Sequence, residues 1–223
     1  MSDLRLVIFD VDGTLVDSQA EIMAAMTRAF ASEGMPMLDR AQVLSIVGLS
    51  LAEAFGVLCP DSDHAQQTRM VQAYKDAFMD LRGADGQAEL SPLFDGAMDC
   101  LRSLHAHDET LLAVATGKSR RGLDKMIARH GFEGLFVSQQ VADFHPSKPH
   151  PAMVLQALAD TGIAADRAVM IGDTTFDMDM GRAAGVATIG VSWGYHEVAT
   201  LDADLVVDSF AALSPAIAQL IGT

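Results

Sequence analysis

Leu4-Arg5-Leu6-Val7-Ile8-Phe9-Asp10-Val11-Asp12-Gly13-Thr14 is the stretch that decides how this chain folds. Its first half is a short apolar run rich in Val, Ile and Phe, which reads as a buried strand. Two carboxylates at i and i+2 close the run, and a Gly-Thr turn follows at once. In open α/β sheets, such strand ends face ligands. Neighbouring carboxylates repel and are costly to desolvate, so stability alone does not gather them there. Something cationic must compensate them, and a divalent metal with oxygen ligands is the natural candidate.

Beyond Asp12 the pattern turns helical. Asp17 and Ser18 offer an N-cap, and Ile22, Met23, Met26, Ala29 and Phe30 recur at helical spacing before Gly34 and Pro36. Further helices are predicted over 39–46, 51–58 and 63–81, with no strand-like run among them. Met70, Tyr74 and Phe78 form an i, i+4, i+8 stripe that reads as packing. Gly83-Ala84-Asp85-Gly86 closes this region as a turn. From Leu93 onward, helices alternate with short apolar strands. Helices are predicted over 94–105, 119–130, 149–161, 176–184 and 210–220, and strands over 111–115, 135–137, 168–171, 186–191 and 205–207. This alternation calls for a parallel sheet covered on both faces. The fold class is therefore α/β: a Rossmann-like core from 1–16 and 85–223, interrupted by an all-helical insert over 17–84.

The 223 residues suit a core with one smaller insert. Thirty acidic against fifteen basic residues give a formal charge of −15, which disfavours nucleic acid and anionic membrane as partners. Cys59 and Cys100 lie far apart, outside any metal-binding spacing, and read as reduced thiols of a cytoplasmic protein. The N-terminal apolar run is too short for a signal core.

Three more segments end in polar groups. Leu111–Ala115 runs into Thr116-Gly117-Lys118, where a hydroxyl and free N–H groups can hold phosphate oxygens, although Thr-Gly is equally an ordinary turn. Ser147-Lys148-Pro149-His150-Pro151 places a Lys before a Pro-led helix. Val169-Met170-Ile171-Gly172-Asp173-Thr174-Thr175-Phe176-Asp177 ends a buried strand in Gly-Asp, with a second Asp four residues on. Asp177 alone could be helix-start chemistry. Asp173 fits that explanation poorly, and the pair reads as a magnesium ligand with a supporting carboxylate behind it.

Together, Asp10-x-Asp12-Gly13-Thr14, Thr116, Lys148 and Gly172-Asp173-x-x-x-Asp177 resemble the four ordered motifs of the haloacid dehalogenase superfamily. The helical insert resembles that superfamily's α-helical cap. Asp10–Ser18, Gly190-Val191-Ser192-Trp193-Gly194-Tyr195 and Ala203–Ser209 resemble its phosphoglycolate-phosphatase-type members. Asp12 speaks for phosphoryl chemistry over dehalogenation, and Gly172-Asp173 stands where mutases of the β-phosphoglucomutase kind carry Glu-Asp. Gly117 stands where many relatives have Asn.

The resemblance implies a magnesium-dependent phosphatase of a small phosphomonoester such as 2-phosphoglycolate. Asp10 would be the nucleophile and Asp12 the acid and base. Mg2+ would be held by Asp10, the Asp12 main-chain carbonyl and Asp173, supported by Asp177. Thr116, Gly117 and Lys148 would hold the phosphate. The turn Val47-Gly48-Leu49-Ser50 is a candidate substrate-facing loop, with Ser50 a possible cap contact and a plain helix connection as its alternative. Arg120 and Arg121 could meet a substrate carboxylate. A phosphomutase, a pyrophosphatase or nucleotidase, and a non-enzymatic phosphoacceptor stand as alternatives. The expected partner is a small phosphorylated metabolite, and the expected state a monomer or homodimer.

Overall fold

A computed structural model describes residues 4–83 and 91–222. Six parallel strands form one sheet in the order β3-β2-β1-β4-β5-β6. They are β1 Arg5–Phe9, β2 Thr110–Thr116, β3 Phe136–Val141, β4 Ala168–Gly172, β5 Ala187–Val191 and β6 Leu205–Val207. Strand β1 is central, pairing with β2 on one side and β4 on the other. The order reverses there, and in such sheets the crevice beyond the strands' C-terminal ends is where ligands bind.

Side-chain alternation along β1 builds two cores. Val7 and Phe9 pack with α5 Ala97–His105, α6 Arg120–His130 and α9 Leu213–Ile221, whereas Leu6 and Ile8 pack with α7 Ala152–Thr161 and α8 Thr175–Ala183. Every residue of β1 is buried, as expected of a strand covered on both faces.

The insert forms α1 Gln19–Ser32, α2 Arg40–Leu44, α3 Leu51–Leu58 and α4 His64–Gly83. These helices share a separate apolar cluster in which Phe30, Phe55, Tyr74 and Phe78 pack ring against ring. Asp39 caps α2 through a reciprocal box with Gln42, and Ser50 caps α3. The outgoing chain at Val16–Asp17 lies beside the returning chain at Pro92–Leu93, joined by a bridge and by the Asp17 N–H donating to the Pro92 carbonyl at 2.9 Å. Of the turn expected at 83–86, Gly83 ends α4 and the rest lies outside the described residues.

Several boundaries differ from the sequence expectation. Pro149 does not lead α7: it follows a cis peptide bond in the preceding loop, and the helix begins at Ala152. Helix α5 begins only at Ala97, because Gly96 has a φ of 87° that an α-helix cannot continue. Strand β3 runs to Val141, longer than its three apolar residues suggested. Ser138 and Gln140 are tied to one another and to Asp160, so polar side chains sit in the strand fully bonded. Cys59 and Cys100 are both free and buried, and burial pushes the Cys100 thiol up to about 11. No helix among the described residues is long and apolar enough to cross a membrane.

Candidate active site

Asp10, Asp173 and Asp177 converge beyond the C-terminal ends of β1 and β4, each able to offer an oxygen within 4.8 Å of the others'. All three are buried. Lys148 reaches into the cluster from the loop before α7, its Nζ 2.7 Å from Asp10 Oδ1 and 2.6 Å from Asp177 Oδ1. A lysine is rarely this buried unless paired, and here two carboxylates hold it.

The local folding that positions each group is simple. Asp10 is fixed by its N–H donating to the Ile171 carbonyl. Gly13 turns the chain with φ 84°, and a β-carbon there would stand 2.2 Å from Asp173 Oδ2, so only glycine fits. Thr14 then donates from its hydroxyl to Asp173 Oδ1 at 2.9 Å, and the Tyr195 N–H donates to Oδ2 at 2.8 Å. Asp177 serves two purposes. Its Oδ2 accepts from the N–H and hydroxyl of Thr174 in a capping box that starts α8, while Oδ1 takes Lys148. The helix-start reading of this residue is realised, and the same carboxylate also meets Lys148 beside Asp10.

Burial raises the Asp10 carboxyl to about 7, against the opposing pull of Lys148 and with the help of Asp177. Burial also raises Asp173 well above the ordinary carboxylate range, and the neighbouring charges of Asp177 and Asp10 add to it. Burial alone would lower Lys148, but the charges of Asp10 and Asp177 outweigh it and raise the ammonium's pKa. Three carboxylates thus face one ammonium, and Asp10 Oδ2 is buried with no hydrogen-bond donor among the described residues. A divalent cation with oxygen ligands fits both the charge deficit and the unbonded oxygen.

Thr116 is buried at the end of β2, and with Gly117, Asp10 and Asp12 it lines a cavity between the sheet and the helical layer. Val47, Gly48 and Leu49 line the same cavity. Ser50 is placed differently: its N–H donates to Ser147 Oγ at 2.8 Å, tying the α3 start to the Lys148 loop. Arg120 is engaged with Asp124, Gln139 and Asp143, while Arg121 lines the cavity. His145 bonds Gln140, and His150 Nδ1 accepts from the Ala152 N–H.

Two residues had no role in the sequence reading. Lys118 places Nζ 2.6 Å from Asp12 Oδ1; its place two residues after Thr116, in the same loop, was the available signal. Besides holding Asp173 through its backbone, Tyr195 accepts from the Ser18 N–H and donates to Asp17 at the start of the insert. Burial raises its phenol pKa further.

A family model described as "Haloacid dehalogenase-like hydrolase" matches residues 7–191. The curated "Probable phosphatase IndB" of Dickeya dadantii is 37% identical over 214 residues, 92% of this chain and 90% of that protein. A phosphoglycolate phosphatase of Rhodospirillum rubrum is 34% identical over 222 residues, covering 94% and 89% of the two chains. Among solved structures, a haloacid dehalogenase-like hydrolase from Streptococcus pneumoniae superposes with a TM-score of 0.82 at 26% identity, over 97% of this chain and 99% of that one. By sequence and by fold, the chain belongs to the haloacid dehalogenase-like hydrolase family and is phosphoglycolate-phosphatase-like within it.

Proposed function

We propose that this enzyme is a magnesium-dependent phosphatase that transfers the phosphoryl group of a small phosphomonoester to Asp10 and then to water. The observation that carries the reading is the buried Asp10–Asp173–Asp177 cluster with Lys148 inserted into it. The names of the relatives make 2-phosphoglycolate the first compound to test.

An anionic nucleophile attacking an anionic phosphate faces repulsion of roughly 4 kcal/mol per charge pair at 4 Å and an effective dielectric near 20. When bound by Asp10, Asp173 and the Asp12 main chain, the metal supplies electrostatic relief of that repulsion. Lys148 adds fixed positive charge beside Asp10 and keeps its attacking oxygen oriented. The Thr116 hydroxyl and the Gly117 backbone supply hydrogen bonds to phosphate oxygens from the β2 end. Asp12 donates a proton to the leaving alcohol oxygen, and later takes one from the water that attacks the Asp10 phosphoanhydride. The helical layer, as a cap, limits bulk water around that anhydride.

Stereochemistry at phosphorus separates this path from direct hydrolysis. Hydrolysis, in oxygen-17 water, of a phosphorothioate ester made chiral with oxygen-18 is expected to proceed with net retention, as two successive in-line displacements require. Net inversion would mean a single displacement by water and would remove Asp10 as nucleophile.

A further inference from the structure

The wall that the helical layer presents to the site has a chemistry unlike that of a two-carbon acid. The cavity occupies about 460 Å³, a size typical of sites for ligands well above glycolate's size. From the helical layer it is walled by Ile22, Met26, Val47, Leu49, Leu51 and Phe78, with Gln72, Lys75 and Asp76 contributing from exposed positions on α4. Every helical-layer wall residue that is buried or half-buried is apolar, apart from the Gly48 backbone and the Tyr74 hydroxyl. Among the described residues, the cations lining the cavity are Lys75, Arg121 and Lys125, all exposed, and Lys118, which is already paired with Asp12. A substrate carboxylate lying against the helical-layer wall would therefore lose its water with little recompense.

The volume is not a gap left by separated layers. Ser50 already bonds Ser147 across the junction, and His196 bonds the Ser45 carbonyl at 3.2 Å. Gly117 lies so close to the Gly48–Leu49 carbonyls that a single β-carbon would collide with them. The layers meet on this side, and the apolar cavity persists beside the contact. Phe78 offers a ring face in the same wall, stacked on Tyr74 at 5.7 Å, with the Lys118 ammonium 5.5 Å from its centroid.

We infer that the substrate is a phosphomonoester whose alcohol carries an extended apolar body, seated against Met26, Leu49 and Phe78. This rests on the phosphatase reading above and narrows its substrate class. Apolar burial then contributes to the discrimination, at roughly four-fold in kcat/KM for each methylene taken from water.

The test uses the full chain with magnesium and a series of n-alkyl phosphates from ethyl to hexyl, beside 2-phosphoglycolate. These alcohols have nearly equal acidity, so the leaving-group chemistry is constant and the slope reports binding. The expected result is a rise in kcat/KM of at least ten-fold from ethyl to hexyl phosphate, with 2-phosphoglycolate below hexyl phosphate. Ala54→Leu, which fills the cavity, and Phe78→Ser, which makes a half-buried wall position polar, should each lower the hexyl-to-ethyl ratio at least five-fold. A flat or falling series, or a ten-fold preference for 2-phosphoglycolate over hexyl phosphate, overturns the inference while leaving the phosphatase reading intact. Release of no phosphate from any of these esters removes that reading, and the inference falls with it.

Discussion

Gly117 and Gly48 approach one another so closely that a β-carbon on residue 117 would stand 2.5 Å from the Gly48 carbonyl oxygen and 2.8 Å from that of Leu49. The first residue after Thr116 is therefore the surface on which the helical layer rests. A side chain at this place would hold the layers apart. Backbone carbonyls cannot move aside as a flexible side chain can. Gly117→Ala is expected to keep the fold, since the clash is relieved by displacing one layer, but to raise KM and lower kcat, with kcat/KM down ten-fold or more. Steady-state kinetics read this directly, and an alanine variant with unchanged constants would show that the contact has no part in turnover.

Lys148 is the only described cation paired with Asp10 or Asp177. Removing one partner from a buried ionic cluster leaves charge uncompensated, at a cost of about 3–5 kcal/mol. Lys148→Met is expected to lower stability by that order in chemical denaturation without metal. It should also reduce kcat by roughly a hundred-fold or more, as loss of an electrostatic stabiliser does. A stable Lys148→Met enzyme with near-normal turnover would place the compensating charge elsewhere.

Lys118 holds Asp12 across 2.6 Å, and both residues are largely shielded from solvent. If Asp12 delivers the proton to the leaving group, its carboxylate must stay oriented, and Lys118 is the side chain that orients it. Lys118→Met is expected to lower kcat about ten-fold with a smaller change in KM. A rise in KM alone would reassign Lys118 to phosphate capture.

The fold was legible because the strands are short, apolar and buried, and because the helical insert contains no strand-like run. Asp10 and Asp173 stood out because a charged residue at the end of a buried strand has no cheap structural explanation, whereas Lys148 lies in a loop and drew attention only because the acidic strand ends need a cation. Residues whose roles depend on the neighbour they meet were not legible. Lys118 looks like any loop lysine until Asp12 is found beside it. Tyr195 reveals nothing until its N–H meets Asp173 and its hydroxyl meets Ser18 and Asp17. Phe78 belongs to a helical stripe that reads as packing, and it does stack on Tyr74, yet it also faces the cavity. A hydrophobic period shows that a face is buried and not whether protein or ligand covers it. Helix starts shifted where a glycine φ or a loop intervened, as at Gly96 and Pro149, because tertiary context fixes those bounds.

Metal removal should expose the charge imbalance at Asp10 as a dependence of stability on pH. The carboxyl is raised from 3.8 to about 7, chiefly by burial. An acid whose folded pKa lies above its unfolded value binds its proton more tightly when folded, so its contribution favours folding at low pH. That contribution is fully present below the unfolded value and is lost as pH rises through about 7. The metal-free protein should therefore lose this part of its stability between about pH 4 and pH 7. A divalent cation that binds the ionised carboxylates offsets the loss by mass action. The increase in Tm on adding magnesium to chelator-treated protein should be clearly larger at pH 8 than at pH 5.5, because at the lower pH protons compete for Asp10 and Asp173. Asp10→Asn should shrink the difference between the two pH values, since an amide carries no proton to displace. Thermal scans of both proteins, with and without magnesium, check the point; an equal increase at both pH values would mean that the cation binds away from these carboxylates.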